Sequence, residues 1–310
     1  EHGEFAVFVG QIDEEGRSFP FEVWTNGTEQ PRGLGAVAKT LSMDMRANDR
    51  AWLALKLDVL AKTPGDHSFE MPFPPHGERR LVPSVAAGVA QVIRWRCDQL
   101  DAIDEARGPD LLSPQGRPHP VLDAMFSVQE PRTGTDGTLS WTVDIANPAT
   151  GEDFVLGLKE IMLPDGVTRP YSMWLSGHYP RALDGLARVL SLDMRVLDPA
   201  WMGMKLRKLL NYSEPLGDFM AFVPGQRRQQ TWPSTVAYLA RLIIHRYAML
   251  GVLDENGYPT REMGILEAPR DAGGAKLMQG ALCLECGNYT VIRKDGCDFC
   301  TACGAVGACG

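Results

Sequence analysis

Residues 39–57 read KTLSMDMRANDRAWLALKL, and residues 188–206 read RVLSLDMRVLDPAWMGMKL. Leu41, Ser42, Asp44, Met45, Arg46, Ala51, Trp52, Lys56 and Leu57 recur as Leu190, Ser191, Asp193, Met194, Arg195, Ala200, Trp201, Lys205 and Leu206. Pro83-Ser84, which reads as a helix start, recurs as Pro233-Ser234. The match covers residues 4–104 and 153–254, with an offset of 149 to 150 positions. Solenoid repeats run to about 20–50 residues. A period this long therefore indicates a duplicated half-domain, whose two copies are expected to pack about a pseudo-two-fold axis.

Each copy predicts the same elements. Strands are expected over residues 4–9 and 21–25, then over 153–158 and 171–175. Asp-Glu-Glu-Gly and Pro-Asp-Gly supply the turns of two hairpins. A helix follows, with Leu34, Val37, Ala38, Leu41 and Met45 on one face; Leu183, Leu186, Ala187, Leu190 and Met194 repeat it. A short second helix carries Trp52 or Trp201. A long third helix turns Val85, Val89, Val92, Ile93, Leu100 and Ile103 inward. Its twin uses Val236, Leu239, Ile243, Tyr247, Leu250 and Leu253. The expected class is α+β, an internally duplicated unit of small antiparallel sheet plus helices, followed by a C-terminal zinc ribbon. Residues 1–104 hold the first copy and 153–254 the second. The joining segment 105–152, rich in Pro, Gly, Asp and Thr, has a strand near 139–145. Residues 255–281 read as a flexible tether that places the tail roughly 25–30 Å away on average.

The tail, residues 282–310, holds six of the seven cysteines: Cys283, Cys286, Cys297, Cys300, Cys303 and Cys309. Two turns have the form C-x-x-C-G, at 283–287 and 300–304. Tetrahedral zinc takes four thiolates at about 2.3 Å, and two such turns supply two each. Glycine after each turn permits the positive φ that folds backbone amides toward the sulfurs. Cys283, Cys286, Cys300 and Cys303 are the expected ligands. Cys297, Cys300 and Cys303 also form a C-x-x-C-x-x-C run, so other sets are open; only Cys300 and Cys303 carry the knuckle glycine. The remaining pair, Cys297 and Cys309, reads either as spare thiols beside a structural zinc or as a dithiol that cycles with a disulfide.

The tail resembles the C-terminus of adenosylcobalamin-dependent (class II) ribonucleotide reductases, through ECGNYTVIRKDGCDFCTACGAVGACG. The resemblance implies a zinc-binding segment that re-reduces the disulfide left in a catalytic barrel after each turnover. It favours the redox reading of Cys297 and Cys309, with a thioredoxin-like reductant as partner and Cys309 as the attacking thiolate. It also implies adenosylcobalamin for the parent enzyme, bound outside this chain. NGTEQPRGLGAVAKTLS is similar to the start of the domain named for its Thr-Ser-Cys-Pro-Asp signature. Thr28 and Pro31 are kept, but Glu29, Gln30 and Arg32 stand at the other three positions, and the second copy has His178-Tyr179-Pro180-Arg181. With the signature cysteine absent, no role resting on it carries over. Together the resemblances cover most of the chain; the tail is the more specific.

The net charge of −8 disfavours a nucleic-acid partner. No apolar run approaches the roughly 20 residues that span a bilayer, and C-x-x-C turns fit a reducing cytosol, so a cytoplasmic protein is expected. The chain opens on EHGEFAVFVG, close to a strand and without Met, and reads as a fragment whose catalytic barrel precedes Glu1. A non-catalytic docking ribbon is the alternative function. Asp44 and Arg46, with Asp193 and Arg195, read as structural groups, since residues two apart on a helix do not face each other. Trp52 and Trp201 read as core anchors, His67 and His76 as surface groups, and Cys97 as a buried thiol. No dinucleotide or Walker loop, cobalamin-type D-x-H-x-x-G motif or radical-cysteine loop is present.

Overall fold

The computed structural model describes residues 3–14, 16–103, 120–123, 125, 135, 137–163, 166–196, 198–260, 281–282, 289–294, 297–300 and 306–309. The first copy runs β1 (Ala6–Glu14), β2 (Arg17–Asn26), α1 (Leu34–Arg46), α2 (Arg50–Ala61), β3 (Phe69–Phe73), β4 (Glu78–Val82) and α3 (Val85–Gln99). A short α4 (Pro120–Asp123) and β5 (Ser140–Asn147) follow. The second copy runs β6 (Glu152–Met162), β7 (Thr168–His178), α5 (Ala182–Met194), α6 (Pro199–Leu210), β8 (Phe219–Phe222), β9 (Gln229–Trp232) and α7 (Thr235–Met249). The tail forms β10 (Ala281–Leu282), β11 (Tyr289–Lys294), β12 (Cys297–Cys300) and β13 (Val306–Cys309). The class is mixed α+β with small antiparallel sheets, as the periodicity predicts.

The duplication is visible in detail. β1 and β2 form a hairpin with a bulge at Gly10/Gln11, and β6 and β7 repeat it with a bulge at Lys159/Glu160. β5 extends the second hairpin to three strands, where the first has two. Ser42 of α1 accepts the Val23 N–H at 2.9 Å, and Ser191 of α5 accepts the Met173 N–H at 3.0 Å. Ser84 and Ser234 cap α3 and α7 by accepting the N–H groups of Ala87 and Ala237. Each copy also has a short hairpin, β3–β4 or β8–β9, that the sequence pattern did not announce. The third helices end at Gln99 and Met249, one turn before the expected inward residues Ile103 and Leu253, which are buried by the following turns. Val92 is only half-buried; Cys97 takes the inward place expected of it, wholly buried.

α1 and α5 pack face to face in one core that spans both copies, including Leu34, Val37 and Leu41 with Leu183, Leu186 and Leu190. Beside it lies a closed polar quartet: Asp44, Lys56, Asp193 and Lys205, all with fully buried side chains. Lys56 Nζ donates to Asp193 Oδ2 at 2.6 Å and to the Val189 carbonyl at 2.6 Å. Lys205 Nζ donates to Asp44 and lies 3.1 Å from Asp193 Oδ1. Exchanging the copies maps one pair onto the other. Trp52 Nε1 donates to Asp44 and Trp201 Nε1 to Asp193, both at 2.8 Å, and each lysine lies over the tryptophan of its own helix. Burial pushes the Asp44 carboxyl up and pulls Lys56 down to about 8. Burial also acts to lower Lys205, but Asp193 and Asp44 outweigh it and hold that ammonium above its ordinary value.

Removing one member of a buried ion pair costs about 3–5 kcal/mol, because the other is left charged and dry. Asp44→Ala is expected to lose that much in urea unfolding of the whole chain. Adding Lys205→Met to it is expected to cost less than the two single losses combined. Additive losses would mean that the two groups do not act as a pair.

Candidate functional site

The tail strands form one antiparallel sheet in the order β10-β11-β12-β13. Leu282 pairs with Tyr289, Val291 with Cys300, Lys294 with Cys297, and Cys297 with Cys309. The chain therefore passes from β10 to β11 and from β12 to β13 at the same end of the sheet. In sequence, the two C-x-x-C-G stretches begin where β10 and β12 end. Of the expected zinc ligands, Cys283, Cys286 and Cys303 lie outside the described residues, and Cys300 closes β12 opposite Val291. Cys297 and Cys309 stand at the other end as direct cross-strand partners. Facing residues of an antiparallel pair have Cα atoms about 4.5 or 5.5 Å apart. Both spacings fall within the roughly 4.4–6.8 Å window of a disulfide. The three-residue step from Cys297 to Cys300 is about 10 Å along the strand. β13 is an edge strand and β12 an inner one, so Cys309 belongs to the open side of the sheet.

The other candidates resolve into structure. Asp44 and Asp193 belong to the buried quartet. Arg46 pairs with Glu22 of β2 at 3.2 Å and lies over the Phe21 ring, while Arg195 lies over Tyr171. Trp52 and Trp201 are buried anchors in a second cluster with Met43, Leu192 and Val196, and Val291 of the tail sheet packs against that cluster. His67 and His76 are exposed. Residues 255–260 of the expected tether are held on the fold: Arg241 pairs with Glu255 at 2.6 Å, and Arg207 lies over the Tyr258 ring at 4.0 Å. Residues 261–280 lie outside the described residues.

A cleft of about 760 Å³ opens between β2, α1 and the connection that follows α6. The signature-like stretch reaches it through Thr28, Gln30, Pro31 and Arg32. Its floor is tied across the copies by Glu214. That carboxylate accepts the Gly33 N–H at the start of α1 at 2.5 Å and pairs with Arg32 at 3.3 Å. Gly33 takes φ +81°, and an added Cβ there would meet Leu183, so glycine is required at this helix start. Tyr212 donates to Glu214 at 3.1 Å; burial, then that carboxylate, pushes its hydroxyl well above the ordinary phenol value. Lys39 and Lys208 line the same cleft. Sequence reading assigned neither this cleft nor the lysines of the quartet. Recurrence of Lys56 and Lys205 on apolar helices was the available signal for the quartet; Asp49 and Asp198, which cap α2 and α6, recur in the same way.

Comparison with family models, curated proteins and solved structures gives no match to this chain. Among the described residues no helix is long and apolar enough to cross a membrane, and no three His, Cys, Asp or Glu side chains converge on one metal position.

Cys97 provides an internal control for any chemistry of the tail. Burial, with a smaller contribution from Asp98, pushes its thiol up to about 12. It is expected to resist alkylation at pH 8–9 in the folded chain and to react once the chain is unfolded. Because the folded pKa lies above the unfolded one, the associated stability is full below pH 9 and is lost as pH climbs toward 12. Thiol counting with and without urea, followed by mapping of the labelled peptides, checks both. Labelling of Cys97 in the native chain at pH 8 would contradict the buried placement.

Proposed function

We propose that this chain is the C-terminal part of an adenosylcobalamin-dependent ribonucleotide reductase, in which the tail carries reducing equivalents to the active-site disulfide. The reading rests on the tail's sequence resemblance. The observation that carries it further is the cross-strand pairing of Cys297 with Cys309. In this reading Cys283, Cys286, Cys300 and Cys303 hold zinc; what supports the set is that β10 ends, and β12 ends on Cys300, at the same end of the sheet. Zinc supplies cross-linking energy that a sheet of two- to six-residue strands lacks. The cofactor of the parent enzyme supplies the radical chemistry at the ribose 2′-hydroxyl, in a barrel outside this chain.

The electron transfer is a two-step exchange. Cys309 thiolate attacks one sulfur of the active-site disulfide, forming a mixed disulfide and releasing one active-site thiolate, which takes up a proton. Cys297 thiolate then attacks the Cys309 sulfur. The Cys297–Cys309 disulfide closes, and the second active-site thiolate leaves and is protonated. Two electrons have moved from the tail pair to the active site. A dithiol reductant of the thioredoxin class restores the pair by the same exchange in reverse, in the cytoplasm of the cell.

A second reading, a static docking ribbon, is favoured by one contact, Val291 against the tryptophan cluster. Zinc content and thiol counting separate the two. After mild oxidation of the isolated chain, the shuttle predicts one retained zinc, two thiols lost and a disulfide mapped to Cys297 and Cys309. Zinc released together with the thiols, or no disulfide, would leave only the docking ribbon. In the full enzyme, Cys309→Ser is expected to spare a single turnover and abolish further ones.

A further inference from the structure

The two hairpins of the duplicated unit are not finished alike. β5 pairs with the outer edge of β6 and completes a three-stranded sheet, whereas among the described residues no strand pairs with the outer edge of β1. Val9 faces Val23 of β2 as Leu158 faces Met173 of β7, so Phe5, Val7 and Val9 correspond to Phe154, Leu156 and Leu158. Phe154, Leu156 and Leu158 are fully buried. Phe5, Val7 and Val9 pack against the same core but are only half-buried. β5 accounts for the difference, because it sets Ile145, Val143 and Trp141 directly opposite Phe154, Leu156 and Leu158. An unpaired strand edge with apolar side chains on its inward face is a template for another strand.

The second copy specifies what fits this edge. β5 runs antiparallel to β6 and presents, from Leu158 to Phe154, an aromatic ring, a valine and a branched aliphatic side chain. β1 carries the same order in Phe5, Val7 and Val9. Turned antiparallel about an axis through Val7, a second β1 sets its Phe5 opposite Val9, its Val7 opposite Val7 and its Val9 opposite Phe5. The aromatic ring then falls where Trp141 stands in the other copy. Arg246 lies over Trp141, 5.8 Å from the ring centroid. Its twin on α3 is Arg96, which accepts the Leu100 N–H on its carbonyl as Arg246 accepts that of Leu250. Arg96 donates to Gln11 of β1 at 2.7 Å, beside the same edge. On the outer face Ala6 would meet Phe8 of the second copy, which stacks on Trp24 with centroids 5.0 Å apart and is 42% exposed. Glu4 would meet Gly10, so no like charges are opposed.

We propose that β1 pairs with the β1 of a second copy of this chain across a two-fold axis, joining two β1–β2 hairpins into one four-stranded antiparallel sheet. The contact is isologous, with the same residues acting on both sides. It adds main-chain hydrogen bonds along the open edge and covers Phe5, Val7 and Val9 as β5 covers their twins. Residues 4–10 on each side make a small interface, so the dimer is expected to dissociate on dilution. This inference is independent of the role of the tail.

Sedimentation of the full chain over a range of concentrations tests it, with hydrogen exchange at residues 5–9 measured alongside. A 34.1 kDa monomer in equilibrium with a species of twice that mass is expected, and protection at residues 5–9 should rise with concentration. Val7→Lys and Val7→Glu each put like charges at the axis and should weaken association by about tenfold or more. An equimolar mixture of these two variants should associate again, because opposite charges then meet. Met220→Lys, at an exposed apolar residue of β8, should leave the mass unchanged. An unchanged urea midpoint for each variant excludes unfolding as the cause; if a Val7 variant unfolds, the concentration dependence of protection in the unsubstituted chain decides. A chain that stays monomeric at every concentration, or a mixture of folded Val7 variants that fails to associate, would overturn the proposal. So would an equal loss in Met220→Lys, or protection of β1 that is independent of concentration, which would mean that another part of the polypeptide covers the edge.

Discussion

The Asp44–Lys56–Asp193–Lys205 quartet is the constraint on which the duplicated fold depends. Four buried charges tolerate only one arrangement. Each carboxylate has an indole N–H and an ammonium from the opposite copy, and Lys56 adds a backbone carbonyl. The leucines of α1 and α5 on their own would accept small slides against each other. A slide of one helical turn, about 5.4 Å, would instead leave a charge against hydrocarbon. The quartet adds little net stability compared with an apolar filling of the same volume. Its effect is on register, because the competing packings each strand an ion.

Register fixed at the centre explains how the edges of the two copies diverge without disturbing the fold. The crosswise pattern continues outward: Arg32 of the first copy pairs with Glu214 of the second, and Arg181 of the second with Asp66 of the first. Glu214 also closes the start of α1, which has no side-chain cap of its own. Gly65 at the equivalent position offers no such group, and α5 begins on Arg181 without one. The two copies therefore differ at this edge, where Glu214 of one stands in the place of Gly65 of the other.

The parts of this fold that were legible in the sequence are those governed by a period. Helix faces came through because Leu34, Val37, Leu41 and Met45 repeat at the helical spacing and are buried for that reason. The hairpins β3–β4 and β8–β9 were not legible. They are four or five residues long; ERRLV is exposed along most of its length, and FEMPF contains a proline. Lys56 and Lys205 carry a side chain that is seldom fully buried unless paired, so only their recurrence on apolar helices pointed inward. The cleft was hidden for a different reason. Its walls come from residues near positions 24, 39, 46 and 212, and only the docking of α6 beside α1 brings them together. The cysteine spacing was legible as chemistry, but it gave no strand register.

That register bears on how the tail is able to act. In the proposed reading the metal and the exchanging pair share one short sheet, and neither can be allowed to disturb the other. Zinc thiolates are themselves nucleophiles, so a disulfide forming beside them would invite scrambling. A three-residue step along β12 sets the knuckle end about 10 Å from the Cys297–Cys309 end. Cross-strand placement serves the other need. The Cα spacing of paired residues already suits a disulfide, so dithiol and disulfide forms can share one backbone. Closing the 13-residue segment from Cys297 to Cys309 would reinforce β12 and β13 rather than strain them. In the proposed reading, the place of Cys309 on β13, next to β12 at the end of the strand order, supports it as the attacking thiolate and Cys297 as the resolving one.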